Sequence, residues 1–385
     1  MKVLHLLKTS VGASWALRQT AELVKLGVDV HLALPAGPMV EKYQQAGVNV
    51  HIFDPSLCIK KPWLNISRIK KLRNLVATIN PDIVHSHFVA TTLLMRLALF
   101  SYGVAKIFHV PGPLHLEHAF FRQLDLFSAS KHDYWLASCL WTQQKYITCG
   151  IEPSRVGLAY YGVNESDFTF DKNTNNDLKQ ILKMQKDDFL LGMVAYFYAP
   201  KRYLGQKRGL KGHEDLIDAL VIVFNKYPTV KCVFVGGSWG GSEIYLEKVK
   251  QYAKDKVGDK CVFLGYRNDV AKLYPQFDLA VHPSHSENVG GAVESMYAGV
   301  ATLTTDVGGF PDLVIDGETG YMVKAKDPLS LANKIIAAIE NTPQRKLQIE
   351  NALIKVKQVM NVQDNANQVY EFYQHVLTFE KSICK

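Results

Sequence analysis

The 385-residue sequence opens without an apolar run long enough to cross a bilayer. Met1-Lys-Val-Leu-His-Leu-Leu7 gives way at once to Lys8 and a loop, too brief for a signal peptide or a span, so a soluble cytoplasmic protein is expected. The six cysteines (58, 139, 149, 232, 261 and 384) form no C-x-x-C pair and have no histidine at zinc spacing. That argues against a disulfide framework or structural zinc and for reduced, packing thiols. The 26 glycines and 15 prolines are spread along the chain, so no segment is disordered by composition. The first strand-to-helix turn lacks G-x-G-x-x-G, and the second strand ends Ala33-Leu-Pro-Ala36 without an acidic residue. Both absences disfavour an NAD-dependent dehydrogenase.

Acidic residues are also missing from Pro55 to Pro81, where Lys60, Lys61, Arg68, Lys70, Lys71 and Arg73 gather around Trp63. Residues 1 to 165 hold 17 Lys and Arg against 10 Asp and Glu, whereas the other 220 hold 27 against 26, so nearly all of the net charge of +8 lies in the first half. The stretch Lys60 to Arg73 reads either as a surface for anionic lipid headgroups or a pyrophosphate-linked lipid, or as the solvated face of an ordinary helix. It has no accompanying motif or stacking platform for nucleic acid.

What is present is a chain that is 48% hydrophobic and long enough for two domains. Strands are predicted at Lys2–Leu7, Val28–Pro35, Val48–Phe53, Ile83–Ser86, Ala105–Val110 and Trp135–Ser138, alternating with amphipathic helices, the first starting near Ser14. After the polar break Asp171-Lys-Asn-Thr-Asn-Asn-Asp177 the pattern restarts with strands at Phe189–Ala195, Val230–Val235, Val262–Leu264, Leu279–His282 and Ala301–Thr304. Alternation of this kind implies parallel sheets covered on both faces, hence an α/β protein of two Rossmann-like units facing a cleft.

The most informative stretch is His282-Pro-Ser-His-Ser-Glu-Asn-Val-Gly-Gly-Ala-Val-Glu-Ser-Met-Tyr-Ala-Gly299. A strand breaks into a loop with Glu287, passes Gly290 and Gly291, and opens a helix bearing Glu294. Such a junction aims unpaired amides and the positive end of a helix dipole at one point, where phosphate binds. Flanking carboxylates suit sugar hydroxyls, so the combination suggests a sugar nucleotide.

This stretch resembles the donor-binding signature of retaining GT-B glycosyltransferases of family 4, in which two glutamates flank a glycine-bearing loop ending E-x-M-x-x-G, as at Glu294, Met296 and Gly299. The resemblance continues through Asp306-Val-Gly-Gly-Phe-Pro-Asp312 and Asp316-Gly-Glu-Thr-Gly320, and Tyr161-Gly-Val-Asn164 echoes the family's N-G-V-D. The family's glutamates stand eight positions apart and these stand seven, so the loop is one residue short. The resemblance implies an N-terminal acceptor domain (1–170), a C-terminal nucleotide-sugar domain (171–364), and a C-terminal helix (365–385) crossing back onto the first domain.

Residue by residue, the resemblance implies a phosphate-clamping Lys211 and places Tyr196 where an arginine is usual. Arg208 or Lys207, on the basic loop before Lys211, would supply the substitute cation, with Arg208 the chosen one, unless that loop serves solubility alone. Gly12 and Gly236 would give close backbone approach, Gly265, Tyr266 and Arg267 would meet the base, and Asn288, Val289, Gly290 and Gly291 would form the amide nest. His109, at the end of a strand, would point toward the reacting sugar as a catalytic residue with Glu287 and Lys211, or else be a satisfied core histidine. His87 and His115 are the acceptor-side residues.

The implied reaction is metal-independent and cofactor-free transfer of a hexose, with retention, from a nucleoside diphosphate donor, UDP foremost, to a hydroxyl of a glycan or lipid-linked acceptor in bacterial-type surface polysaccharide or lipopolysaccharide synthesis. No D-x-D triad stands where a divalent cation would be expected, and amide dipoles with basic side chains supply the electrostatics instead. The expected setting is the cytoplasm or the inner face of the membrane, with the region 171–177 near a hinge. A sugar-nucleotide epimerase of the same architecture and a non-catalytic sugar-nucleotide-binding protein are the alternatives.

Overall fold

The structure is a computed structural model that describes residues 1–168 and 177–383. The segment 171–176, expected near a hinge, and Cys384 lie outside the described residues. The chain divides into two compact units, Met1–Asn164 with Met360–Lys385, and Glu165–Val359, so the divisions read from the sequence at 170 and 364 fall a few residues late.

In the first unit β1 (Lys2–Leu6), β2 (Asp29–Leu34), β3 (Asn49–Ile52), β4 (Ile83–Ser86), β5 (Ala105–Val110), β6 (Asp133–Ala137) and β7 (Val156–Leu158) form a parallel sheet in the order β3-β2-β1-β4-β5-β6-β7. Parallel strands are joined by crossover helices, which bury both faces and explain why these strands read as nearly continuous apolar runs. Ile83, Ile107 and Leu136 face the helix Ser14–Lys25 and the C-terminal helix. Val84 contributes to the opposite face under helices Leu64–Ile79 and Val89–Ala98, as Phe108, Val110 and Trp135 do under helix Ala119–Phe127.

The C-terminal helix, Val362–Ile383, does pack on the first unit, burying Val369, Phe372, Tyr373 and Val376. Its approach needs Gly162, where a Cβ would lie 2.5 Å from the Cα of Val362. The Val163 amide donates to the Met360 carbonyl at 2.8 Å beside that crossing.

The second unit holds β8 (Leu190–Val194), β9 (Lys231–Val235), β10 (Cys261–Gly265), β11 (Leu279–His282), β12 (Thr302–Thr305) and β13 (Tyr321–Val323), all parallel, in the order β10-β9-β8-β11-β12-β13. Every strand read from the sequence is present. The two that were not anticipated, β7 and β13, are edge strands of three residues each, too short to show a period. Cys232 and Cys261 face each other in register on β9 and β10 as free thiols.

Candidate active site

In the second sheet the strand order reverses between β8 and β11, and ligands of open α/β sheets gather outside the carboxyl ends of the strands at such a switch point. The segments that leave those ends are Ala195–Tyr196 after β8, Gly236–Trp239 after β9, Gly265–Arg267 after β10 and Pro283–Gly291 after β11. They are laced together by backbone bonds, Gly236 N to Gly265 O at 2.9 Å and Phe197 N to Gly237 O at 3.0 Å.

Lys211 and Glu287 meet here. The Lys211 ammonium forms a short ion pair with Oε2 of Glu287, and both side chains are largely buried. Burial alone would push the ammonium down, but the charge and hydrogen bond of Glu287 more than offset this and hold it above the ordinary lysine range. Lys211 reaches this place because Gly212 follows it. At φ +74, Gly212 lies so close to the Pro283 carbonyl that a Cβ would be 1.9 Å from the oxygen. On the other side, Oε1 of Glu287 accepts from the Asn288 amide at 3.2 Å and lies 2.9 Å from where a Cβ of Gly290 would be, over the start of the helix Gly290–Tyr297. A carboxylate thus occupies a helix N-terminus opposite a cation, the environment that favours an anion.

Three further features complete the site. Asn288 Oδ1 is buried with no hydrogen-bond partner among the described residues, while Val289 is buried behind it. Gly291 lies against the His282 ring. Glu294, exposed on the same helix, accepts from the Tyr274 hydroxyl, whose acidity burial and this carboxylate both suppress.

Sequence reasoning missed an aromatic wall. The Tyr196 ring lies 5.0 Å from that of Trp239 and 6.4 Å from that of Tyr266, which stacks on it and is mostly exposed. Tyr198 lies 6.4 Å from Trp239 and 5.9 Å from the Lys211 ammonium. The signal available was Trp239, three residues past Gly236. A second omission is His285, which is paired with Asp215 and whose amide donates to Leu210 O at 2.8 Å, pinning the Lys211 loop to the Glu287 loop.

Several predicted residues stand elsewhere than expected. Arg208 is bound to Asp215 at 2.5 Å and Asp218 at 2.7 Å, so its charge is already matched by two carboxylates and is not the free cation inferred from the loop. Arg267 pairs with Asp269 at 2.6 Å on the surface. His109 does not point outward. It is fully buried, bonded through Nε2 to the Ala159 carbonyl at 3.0 Å and covered by the Tyr161 ring at 4.1 Å. Burial pushes its pKa down to about 3, which makes it a neutral core side chain.

His87 is equally buried, between Tyr161 and His5, and His115 is bound to the Tyr146 hydroxyl at 3.1 Å beside Asp125. Neither presents the acceptor-facing ring that was expected. Gly12, at φ +68 in an exposed turn after β1, has open space around it.

Among the described residues one cluster has metal-ligating composition, His5, His85 and His87, with ligand atoms within 4.8 Å of one another. The rings stack at 4.4 to 5.2 Å, and His5 Nδ1 shares a hydrogen bond with His87 Nε2 at 2.9 Å. These nitrogens engage each other instead of converging on a point, so the geometry does not fit a shared ion.

Comparison with known proteins fits this picture. The family described as Glycosyltransferase Family 4 matches residues 12–167 and that described as Glycosyl transferases group 1 matches 202–355. The capsular polysaccharide biosynthesis glycosyltransferase CapM of Staphylococcus aureus is 25% identical over 89% of this chain and 89% of its own. The UDP-Gal:alpha-D-GlcNAc-diphosphoundecaprenol alpha-1,3-galactosyltransferase of Escherichia coli is 23% identical over 88% and 86%. The crystal structure of Anabaena HepE in complex with UDP-glucose superposes with a TM-score of 0.79 at 21% identity, covering 96% of this chain and 98% of that one, and shares the fold. With two parallel Rossmann-like sheets, a C-terminal helix returning to the first, and both family halves matched in order, the chain belongs to the GT-B glycosyltransferases of family 4.

Proposed function

We propose that the carboxyl-end site of the second unit binds a sugar nucleotide, with uridine as the base, and that the enzyme transfers its hexose with retention to a hydroxyl of a glycan or lipid-linked acceptor in surface polysaccharide synthesis. The observation that carries this reading is the anion seat where Lys211 and the start of helix Gly290–Tyr297 meet at Glu287, with the buried Asn288 Oδ1 beside it. A diphosphate would take the ammonium and the amides of Asn288 to Gly291, freeing Glu287 to receive sugar hydroxyls, while Glu294 would accept from the ribose.

The Tyr196 hydroxyl stands where the family has an arginine and is kept protonated by burial and by Tyr266 and Glu294 nearby. It can donate a hydrogen bond but no charge, so Lys211 and the amide dipoles would carry the developing negative charge of the leaving group without a metal. Uridine is chosen on the donors in the names of the galactosyltransferase and HepE, and surface polysaccharide on the name of CapM. Exposed Lys60, Lys61, Lys70 and Lys71 support contact with an anionic membrane carrying the acceptor.

A thermal-shift titration against UDP, GDP, ADP and their sugar conjugates, without added metal, tests the donor. Saturation at about 100 times Kd adds roughly 2.7 kcal/mol, and the response to the uridine series should shrink in Glu294→Ala. A response to another series alone overturns the base assignment, and no response to any overturns the site. Nuclear magnetic resonance of the anomeric proton of the product then decides retention.

A further inference from the structure

Tyr274 lies beneath the donor loop and spends its hydroxyl on a carboxylate that faces solvent. The ring is buried with Leu273, Phe277 and Val300 in the core of the second unit, and it meets the Phe277 ring edge-on at 5.9 Å. Burial keeps the phenol protonated, so its one hydrogen is always available. It donates to Glu294, and the Gly291 carbonyl stands at the limit of its reach, 3.4 Å away.

The helix that carries Glu294 is anchored as well. On its buried side Ser295 Oγ is bonded to His282 Nε2 at 3.2 Å and to Thr302 Oγ1 at 2.8 Å. Gly291 leaves room for the His282 ring, which a Cβ there would approach to 2.8 Å. An exposed glutamate ordinarily keeps its rotamer freedom and gives it up only when a ligand binds. Glu294 is instead held in place beforehand. Its charge acts on both Tyr196 and Lys211, so it stands between the aromatic wall of Tyr196, Trp239 and Tyr266 and the ammonium paired with Glu287. In a nucleoside diphosphate the ribose lies between the base and the phosphates in the same way.

We propose that Tyr274 is a positioning residue that fixes Glu294 against the 2′-hydroxyl of the donor, so that the enzyme takes nucleoside diphosphate sugars built on ribose and refuses those built on 2′-deoxyribose, the deoxythymidine sugars among them. The inference rests on the donor reading above and narrows it to one class of sugar nucleotide. A carboxylate has two oxygens and several lone pairs. With one lone pair taken by the phenol, the others can accept from the neighbouring 2′- and 3′-hydroxyls of a ribose. A 2′-deoxyribose leaves the carboxylate stripped of water and short of one hydrogen bond, which is how a site built to bind a hydroxyl rejects the analogue without it. A mobile glutamate would turn back to solvent and lose that discrimination.

Calorimetric titration of the full chain with UDP and with 2′-deoxyuridine diphosphate, which differ in that hydroxyl alone, tests it. Wild type should bind UDP about tenfold or more the tighter, the worth of one hydrogen bond to a charged group. Tyr274→Phe removes only the phenol hydroxyl. It should weaken UDP about threefold or more and leave the deoxy nucleotide within about twofold, so that the preference shrinks. Glu294→Ala, a change at an exposed position that leaves the core intact, should bring the two nucleotides within about twofold of each other. Equal weakening of both by Tyr274→Phe would make the hydroxyl merely structural and overturn the proposal, as would a wild-type preference kept by either variant. UDP binding without preference in the wild type would overturn this inference and leave the donor reading standing, whereas no binding of UDP would overturn both.

Discussion

Lys211 and Arg208 stand three residues apart on one basic loop, yet their surroundings give them different work. The Lys211 ammonium is largely buried, and its carboxylate partner sits over a helix N-terminus, so an incoming diphosphate can exchange with Glu287 at little electrostatic cost. Arg208 is held by two carboxylates, Asp215 and Asp218, and it ties the loop to the helix His213–Lys226. Lys211→Ala should therefore weaken UDP binding by about 10- to 100-fold, the worth of one hydrogen bond to a charged group. Arg208→Ala should change it by no more than about twofold, the range expected when no contact is lost. Isothermal titration of both variants measures the contrast, and equal losses would return Arg208 to the phosphate site. The charge of Arg208 was legible in the sequence and its employment was not, because Asp215 and Asp218 are equally plausible as ordinary first-turn and surface acids of the following helix.

At the scale of elements, the strand–loop–helix unit after β11 works only because the turn at Gly212 lets the Lys211 loop lie against Pro283. Gly212→Ala places a methyl group on a carbonyl and forces a left-handed backbone on alanine, a strain of about 1–3 kcal/mol before any shift of the loop is counted. Urea denaturation should show the second unit destabilised by at least that amount, with donor binding lost as Pro283 moves the Glu287 loop. Gly103→Ala, in open space, should stay within about 0.5 kcal/mol of wild type. An unaltered Gly212→Ala protein would mean that the turn does not set the site. The motif around Glu287 was readable because phosphate-binding loops are local in sequence. The aromatic wall of Tyr196, Trp239 and Tyr266 was not, since it is assembled from the ends of three strands whose order in the sheet no local pattern reveals.

For the whole molecule, buried imidazoles set the response to acid. His5 and His109 are pushed down to about 3 by burial, and His85 and His87 lie well below the ordinary value through burial and mutual repulsion, all four in the first unit. His213 and His282 in the second are likewise lowered to about 3 by burial and by Lys211. With folded pKa values below the unfolded one, the unfolded chain binds more protons. Stability is complete above about pH 6.5 and falls toward pH 3, each such group contributing a slope of about 1.4 kcal/mol per pH unit. Calorimetry between pH 7 and pH 5 should show the first unit losing stability roughly twice as steeply as the second, the latter marked by its shift with UDP. Equal slopes would contradict the burial of the cluster. The sequence alone determined the two α/β units, all their strands but the two short edge ones, and the loop at Glu287, because these follow from local periodicity and from residues adjacent in the chain, while the returning helix came from the family resemblance. Only the tertiary structure decided that His109 is sealed in the core and that Arg208 is already paired, because burial and charge pairing depend on what distant segments bring to the same place.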